Sequence, residues 1–186
     1  MKKKIIPTMD WIIYDDNPLL KTKSEDVVFP LTEIEKNTID KMVAYVDASY
    51  ESKEAEYDIR PGIGMAAIQL GLPKKIIYIH FDDSEKENKY LIANPKIIKE
   101  YSSKIYIENG EGCLSVKEDA EGYSIRSARL VVEAIDLTTN KVIEIDAEGY
   151  LACCIQHEID HLNGLVYYDR INKFNPFFKK DDWKKI

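Results

Sequence analysis

The sequence predicts an α+β fold: mostly antiparallel β-sheets packed around a central helix in the C-terminal half, with one further helix near the N-terminus. Three observations predict it. An apolar pattern of helical period follows residue 32, short β-rich runs occupy residues 75 to 147, and a second helical pattern with a glycine stop occupies 150 to 164. The 186 residues, 45% apolar and 32% charged, suit a single domain over 1–186 that buries roughly 70% of its unfolded surface.

Thr32-Glu33-Ile34-Glu35 has the form of a capping box, in which the Thr hydroxyl and the Glu carboxylate each satisfy the other's backbone N–H. Ile39, Met42, Val43 and Val46 repeat at helical spacing behind it, so a helix is expected over 32–48. Ser49 to Arg60 is polar, acidic and without period, and reads as a surface loop, a hinge or an insertion, before the glycines at 62 and 64. The β-rich runs are 75–80, 90–98 broken by Pro95, 104–108, 130–136 and 142–147. Thr138-Thr139-Asn140 is expected to turn the fourth run back onto the fifth. The last helix is expected over Tyr150 to Leu162, closed by Asn163-Gly164.

Lys and Arg total 26 against 33 Asp and Glu, a formal charge of -7, which argues against direct DNA binding. Lys2, Lys3 and Lys4 open the chain as a signal peptide would, but Pro7 and Asp10 interrupt the apolar stretch. No run reaches the roughly 20 apolar residues of a membrane span. A cytoplasmic protein with no membrane partner is expected. Its three cysteines, Cys113, Cys153 and Cys154, are odd in number with two adjacent, which suits a reducing compartment better than a disulfide framework.

Chemistry concentrates on the last helix. In Gln156-His157-Glu158-Ile159-Asp160-His161 the two histidines lie four residues apart, project from one face and can hold one metal ion, while Glu158 can reach a water bound to it. A lone histidine would ordinarily be a satisfied core or surface side chain, and His80, at the end of a β-rich run, is read that way. A third ligand decides the class. The metzincin extension fails because Tyr167 stands where its third histidine belongs, and a thermolysin-like ligand fails because no glutamate follows His161. Upstream, Glu111-Gly112-Cys113-Leu114-Ser115 offers a thiolate that would complete a Cys-His-His set with an open fourth position. A small buried hydrophobe is the commoner fate of such a cysteine. The segment from Gly62 to Gly71 suits close backbone packing; it lacks the Lys-Ser/Thr of a P-loop and the third glycine of a dinucleotide fingerprint.

Taken together, GxGxAAxQ at 62–69, EGCxS at 111–115 and HExDH at 157–161 resemble the peptide deformylases, whose three motifs occur here in order without a substitution, over about residues 10 to 170. The resemblance implies Cys113, His157 and His161 as metal ligands, with water in the remaining position. The implied cofactor is one divalent ion, Fe(II) in the cell, with Zn, Ni or Co able to take its place in a purified sample. Glu158 is implied as the general base that accepts the proton of the metal-bound water as it attacks the formyl carbon, and Gln69 and the backbone N–H of Leu114 as donors to the oxyanion. The plainer role for Gln69 is an amide tying two strands together. The implied reaction removes the N-formyl group from the formyl-methionine of newly synthesised polypeptides and releases formate. That peptide would lie extended beside Ile63, Gly64 and Gly112, with its methionine side chain in an apolar pocket lined by Tyr150, Cys153 and Cys154, unless these three are simply helix core.

Arg126 is implied as an ion-pair partner of Asp160. The segment 49–60 and Leu114 resemble the longer, second type of bacterial deformylase, in which the C-terminal segment tends to be strand-like. For residues 172–186 three readings stay open: Phe174, Phe177, Phe178 and Trp183 pack on the sheet, lysines 179, 180, 184 and 185 make transient contact with the ribosome, or the segment is a solvated tail. Two other functions compete with the hydrolase. One is a metallopeptidase with an unrecognised third ligand, and the other is a binding domain with a closed structural metal, which would need four protein ligands.

Overall fold

The computed structural model describes residues 5–84 and 86–186, so the reading of Lys2 to Lys4 lies outside the described residues. Helix α1 spans Glu33–Tyr50. The Thr32 hydroxyl accepts from the Glu35 N–H, and the Glu35 carboxylate accepts from the Thr32 N–H at 2.7 Å, the reciprocal cap that the residue types predict. The expected loop over 49–60 requires correction. Ser49 and Tyr50 complete α1, and Glu54–Tyr57 form a helical turn, α2. Polar side chains order the segment: Ser49 Oγ donates to Glu54 Oε1 at 3.0 Å and accepts from the Gly62 N–H at 2.9 Å, and Ile59 is buried beneath it.

The strands follow as β1 Gly64–Ala66, β2 Ile76–Asp83, β3 Lys86–Glu100, β4 Lys104–Tyr106, β5 Arg126–Ser127, β6 Arg129–Asp136 and β7 Lys141–Glu148; helix α3 occupies Gly149–Leu162 and β8 Lys184–Lys185. One sheet runs β1-β2-β3-β6-β7 with every neighbouring pair antiparallel. A smaller sheet runs β5-β4-β8, antiparallel between β4 and β5 and parallel between β4 and β8. Pro95 does not break its strand. A register shift between Ala93 and Lys96 absorbs the residue that has no N–H to donate, and Asn94, at φ 52°, spends its side chain on the Val27 backbone. β2 likewise runs past His80, whose Nδ1 lies 2.5 Å from Asp47 Oδ1 and whose Nε2 lies 3.0 Å from Glu87 Oε1, tying α1 to the β2–β3 hairpin.

Alternation along β2 sorts its side chains between two apolar layers. Ile76 and Tyr78 face α1 with Met42, Tyr45 and Val46, whereas Ile77 and Ile79 join the layer that contains Leu151, Ala152 and Ile155 of α3. Burial of each such side chain contributes about 1.5–3 kcal/mol, so α3 is held on the sheet along its own apolar face. Gly164 ends it at φ 74°, and a Cβ there would lie 2.4 Å from Lys21 O. The C-terminal segment ends in β8, strand-like as the second type implies. Phe177 packs edge-on to Tyr123, Phe174 is fully exposed, and Lys185 bonds Glu108. Among the described residues no helix is long and apolar enough to cross a membrane.

Candidate metal centre

The cluster is assembled from three places: α3, the loop between β4 and β5, and β1 with the 3-10 turn Ala67–Leu70 behind it. One helical turn separates His157 from His161, which sets their rings 5.0 Å apart at 75°. Cys113 Sγ lies 3.2 Å from His161 Nε2, and the sulfur and one nitrogen of each ring all fall within 4.8 Å of one another. His157 Nδ1 lies 2.8 Å from Glu111 Oε2. An ionised carboxylate can only accept, so Nδ1 carries a proton and Nε2 is the nitrogen available to a metal.

Glu111 is held in turn by Arg126, whose Nε and Nη2 reach its two oxygens at 2.7 and 2.8 Å. Arg126 Nη1 also donates to Asp160 Oδ2 at 2.7 Å, and Asp160 accepts again from Arg170 Nε at 2.9 Å. The side chains of Arg126, Glu111 and Asp160 are all nearly solvent-free, at 1%, 5% and 3% exposure. The pair that the resemblance implies is therefore part of a longer chain, Glu111-Arg126-Asp160-Arg170, that ties the Cys113 loop to α3. Burial by itself would raise the Glu111 carboxyl; hydrogen bonds from Arg126 and His157 outweigh it and hold the group down at about 2. Glu158 has no such donors. Burial pushes it up to about 7 against the pull of His157 and Arg126, and its Oε2 has no hydrogen-bond partner.

Gln69 Oε1 accepts from the Ala66 N–H at 2.8 Å and Nε2 donates to Ser115 Oγ at 3.1 Å, which ties the end of β1 to the cysteine loop and sets the amide 3.9 Å from Cys113 Sγ. Its plainer role and a place beside the cluster thus coincide. At Gly64 a Cβ would lie 2.7 Å from Glu158 Oε1 and 3.1 Å from Cys154 Sγ, so the glycine is what lets α3 approach β1. A cavity of about 410 Å³ opens onto the cluster. Cys113, Leu114, Gln69, His157 and Glu158 line it, together with Ile63, Gly64, Gly112, Tyr150, Cys153 and Cys154. Cys153 and Cys154 are also buried, so pocket wall and helix core describe the same two residues. His161 lies behind, fully buried. Arg60 and Ile107 line the cavity too. Nothing in their local sequence marks them, whereas Glu111 could have been suspected from its place in the cysteine motif.

The profile of the polypeptide deformylase family matches residues 9–177. The chain belongs to the peptide deformylase family. It is 57% identical over 186 residues, spanning 100% of both chains, to the peptide deformylase of Malacoplasma penetrans. It is 50% identical to that of Mycoplasma genitalium over 180 residues, 97% of this chain and 93% of that one. Among solved structures, the peptide deformylase from Ehrlichia chaffeensis in complex with actinonin matches at a TM-score of 0.70 with 29% identity, over 92% of this chain and 91% of that one. Membership in the peptide deformylase family makes the chain a hydrolase of protein biosynthesis, and its Cys-His-His cluster is able to bind a metal.

Proposed function

We propose that this enzyme hydrolyses the N-formyl group of formyl-methionine on newly synthesised polypeptides, in the cytoplasm where such chains are made, with one divalent ion held by Cys113, His157 and His161. The observation that carries the reading is the convergence of one sulfur and two imidazoles within 4.8 Å, beside a buried carboxyl that lacks a partner. Tetrahedral ligand bonds of about 2.0–2.3 Å would set neighbouring donors about 3.4–3.6 Å apart, and the Sγ to Nε2 separation of 3.2 Å is near that value. Among the described residues no fourth His, Cys, Asp or Glu joins the group, which leaves the open position that distinguishes a catalytic from a structural site. The donor set suits Fe(II), with Zn, Ni or Co as substitutes in a purified sample. When bound, such an ion supplies Lewis acidity, acidifying water and polarising the formyl oxygen.

Protein groups divide the other tasks. Glu158, lifted toward neutrality by burial, would accept the proton of the attacking water and deliver it to the leaving amine. The second N–H of Gln69, beyond the one given to Ser115, meets Cys113 Sγ at 3.9 Å, and with the Leu114 N–H it would turn to donate to the oxyanion. β1 is the edge strand of its sheet, so an extended peptide could add beside Ile63 and Gly64, opposite Gly112, and send its methionine between Tyr150, Cys153 and Cys154. A formyl carbon carries only hydrogen, so a narrow inner cavity would admit it and reject larger acyl groups. The test is formate release from a formyl-methionyl tripeptide, with metal analysis of the same sample. Cleavage of unmodified peptides with no formate released would refute the reading in favour of a peptidase.

A further inference from the structure

Arg60 is the one Lys or Arg among the described residues that line the cavity. Of the carboxyl groups there, Glu111 is bonded to Arg126 and His157, and Glu158 is buried. Arg60 Nη1 donates to Val116 O at 3.0 Å, which steadies the head, while Nη2 stays 3.9 Å from an exposed Asp119 Oδ1. The side chain is 40% exposed. A guanidinium has five N–H donors in a rigid fork, so donors remain for a ligand.

Its place along the wall decides what that ligand would be. Gly64 adjoins Glu158 at the reacting end, and the path beyond it is closed by Ala66, Ala67 and Gln69, all at most 1% exposed. A peptide held on the free edge of β1 must therefore leave in the other direction, past Ile63, Gly62 and Pro61 toward Arg60. At about 3.3 Å per extended residue, the three steps from Ile63 to Arg60 cover about 10 Å, within reach of the second to fourth residue of the substrate. Resting on the deformylase reading, we propose that Arg60 is a specificity-determining residue that favours nascent chains with an acidic side chain at the second to fourth position. Glu108, Asp119 and Glu121 line an adjoining groove that would favour the opposite charge. Glu108 is bonded to Lys185, and of the remaining two Asp119, 3.9 Å from Arg60 Nη2, is the direct competitor.

The test uses the metal-loaded enzyme and formyl-methionyl tetrapeptides carrying Asp, Ala or Lys at each later position, read by formate release. At about 20 mM salt, Asp should exceed Lys in kcat/KM by about three- to tenfold at one of these positions, and the ratio should approach one at about 300 mM. The difference should lie in KM, because Arg60 stands away from the reacting atoms. Arg60→Gln should collapse the ratio, Arg60→Lys should keep part of it, and Asp119→Asn should raise it by freeing the guanidinium. A preference unchanged in Arg60→Gln, or equal rates for the three peptides, overturns the role of Arg60 alone. A preference for Lys overturns it and assigns the path to the acidic groove. No formate from any peptide removes the deformylase reading and Arg60 with it.

Discussion

Arg126→Met strands a buried charge, and the structure says which one. Arg126 donates two hydrogen bonds to Glu111 and one to Asp160 from a side chain 1% exposed. Asp160 keeps Arg170 as a partner, so the uncompensated carboxylate is Glu111. Removing one member of a buried ion pair costs about 3–5 kcal/mol, a large share of the roughly 5–15 kcal/mol that stabilises a domain. Methionine retains most of the volume, so packing loss is small. Urea unfolding followed by tryptophan fluorescence should show a midpoint lowered accordingly, and adding Glu111→Gln, which takes away the stranded charge, should recover about half. Because Glu111 also orients His157, metal affinity should fall about 10–100-fold. An Arg126→Met enzyme with the parent midpoint and the parent affinity would refute the view that this chain of ion pairs positions the cluster.

Glu158→Gln keeps all three donors and removes the base, so it should bind a full equivalent of metal while formate release falls by at least about 10²-fold; undiminished turnover would discard the assigned role. Cys113→Ser should lose metal, read by elemental analysis after dialysis, and full occupancy would place the third ligand elsewhere. Gly164→Ala forces a Cβ against Lys21 O at a φ of 74°, and should lower stability by about 2–3 kcal/mol in thermal or urea unfolding. In the metal-free protein, the Glu111 carboxyl sits at about 2 in the fold against an ordinary 4.5. A depressed folded value contributes stability that is complete above pH 4.5 and is lost as pH falls toward 2, about 3 kcal/mol in all. Unfolding free energies measured from pH 6 to 3 should show that decline in the parent protein and less of it in Glu111→Gln.

Signals carried by neighbouring residues were legible. The Thr32–Glu35 box, the turn joining β6 to β7 and the limits of α3 each depend on atoms a few residues apart, and each lies within two residues of its expected place. Signals that depend on distant partners were not. Pro95 reads as a break until Asn94 is seen bonded to Val27, 67 residues away. The segment after α1 reads as loop until Ser49 is seen holding Gly62. A two-residue strand such as β8 exists only because β4 lies beside it.

The sequence by itself determined which donors face one another on α3, because a spacing of four residues becomes a shared face through helix geometry alone. It also determined the family, through three short motifs. Tertiary structure alone decided that Cys113 meets His161 across 48 residues, that one buried carboxylate is held near 2 while another rises to about 7, and that Arg60 stands at the cavity wall. Backbone hydrogen bonding in a helix is settled by neighbours along the chain, whereas desolvation, charge pairing and ligand convergence are settled by neighbours in space.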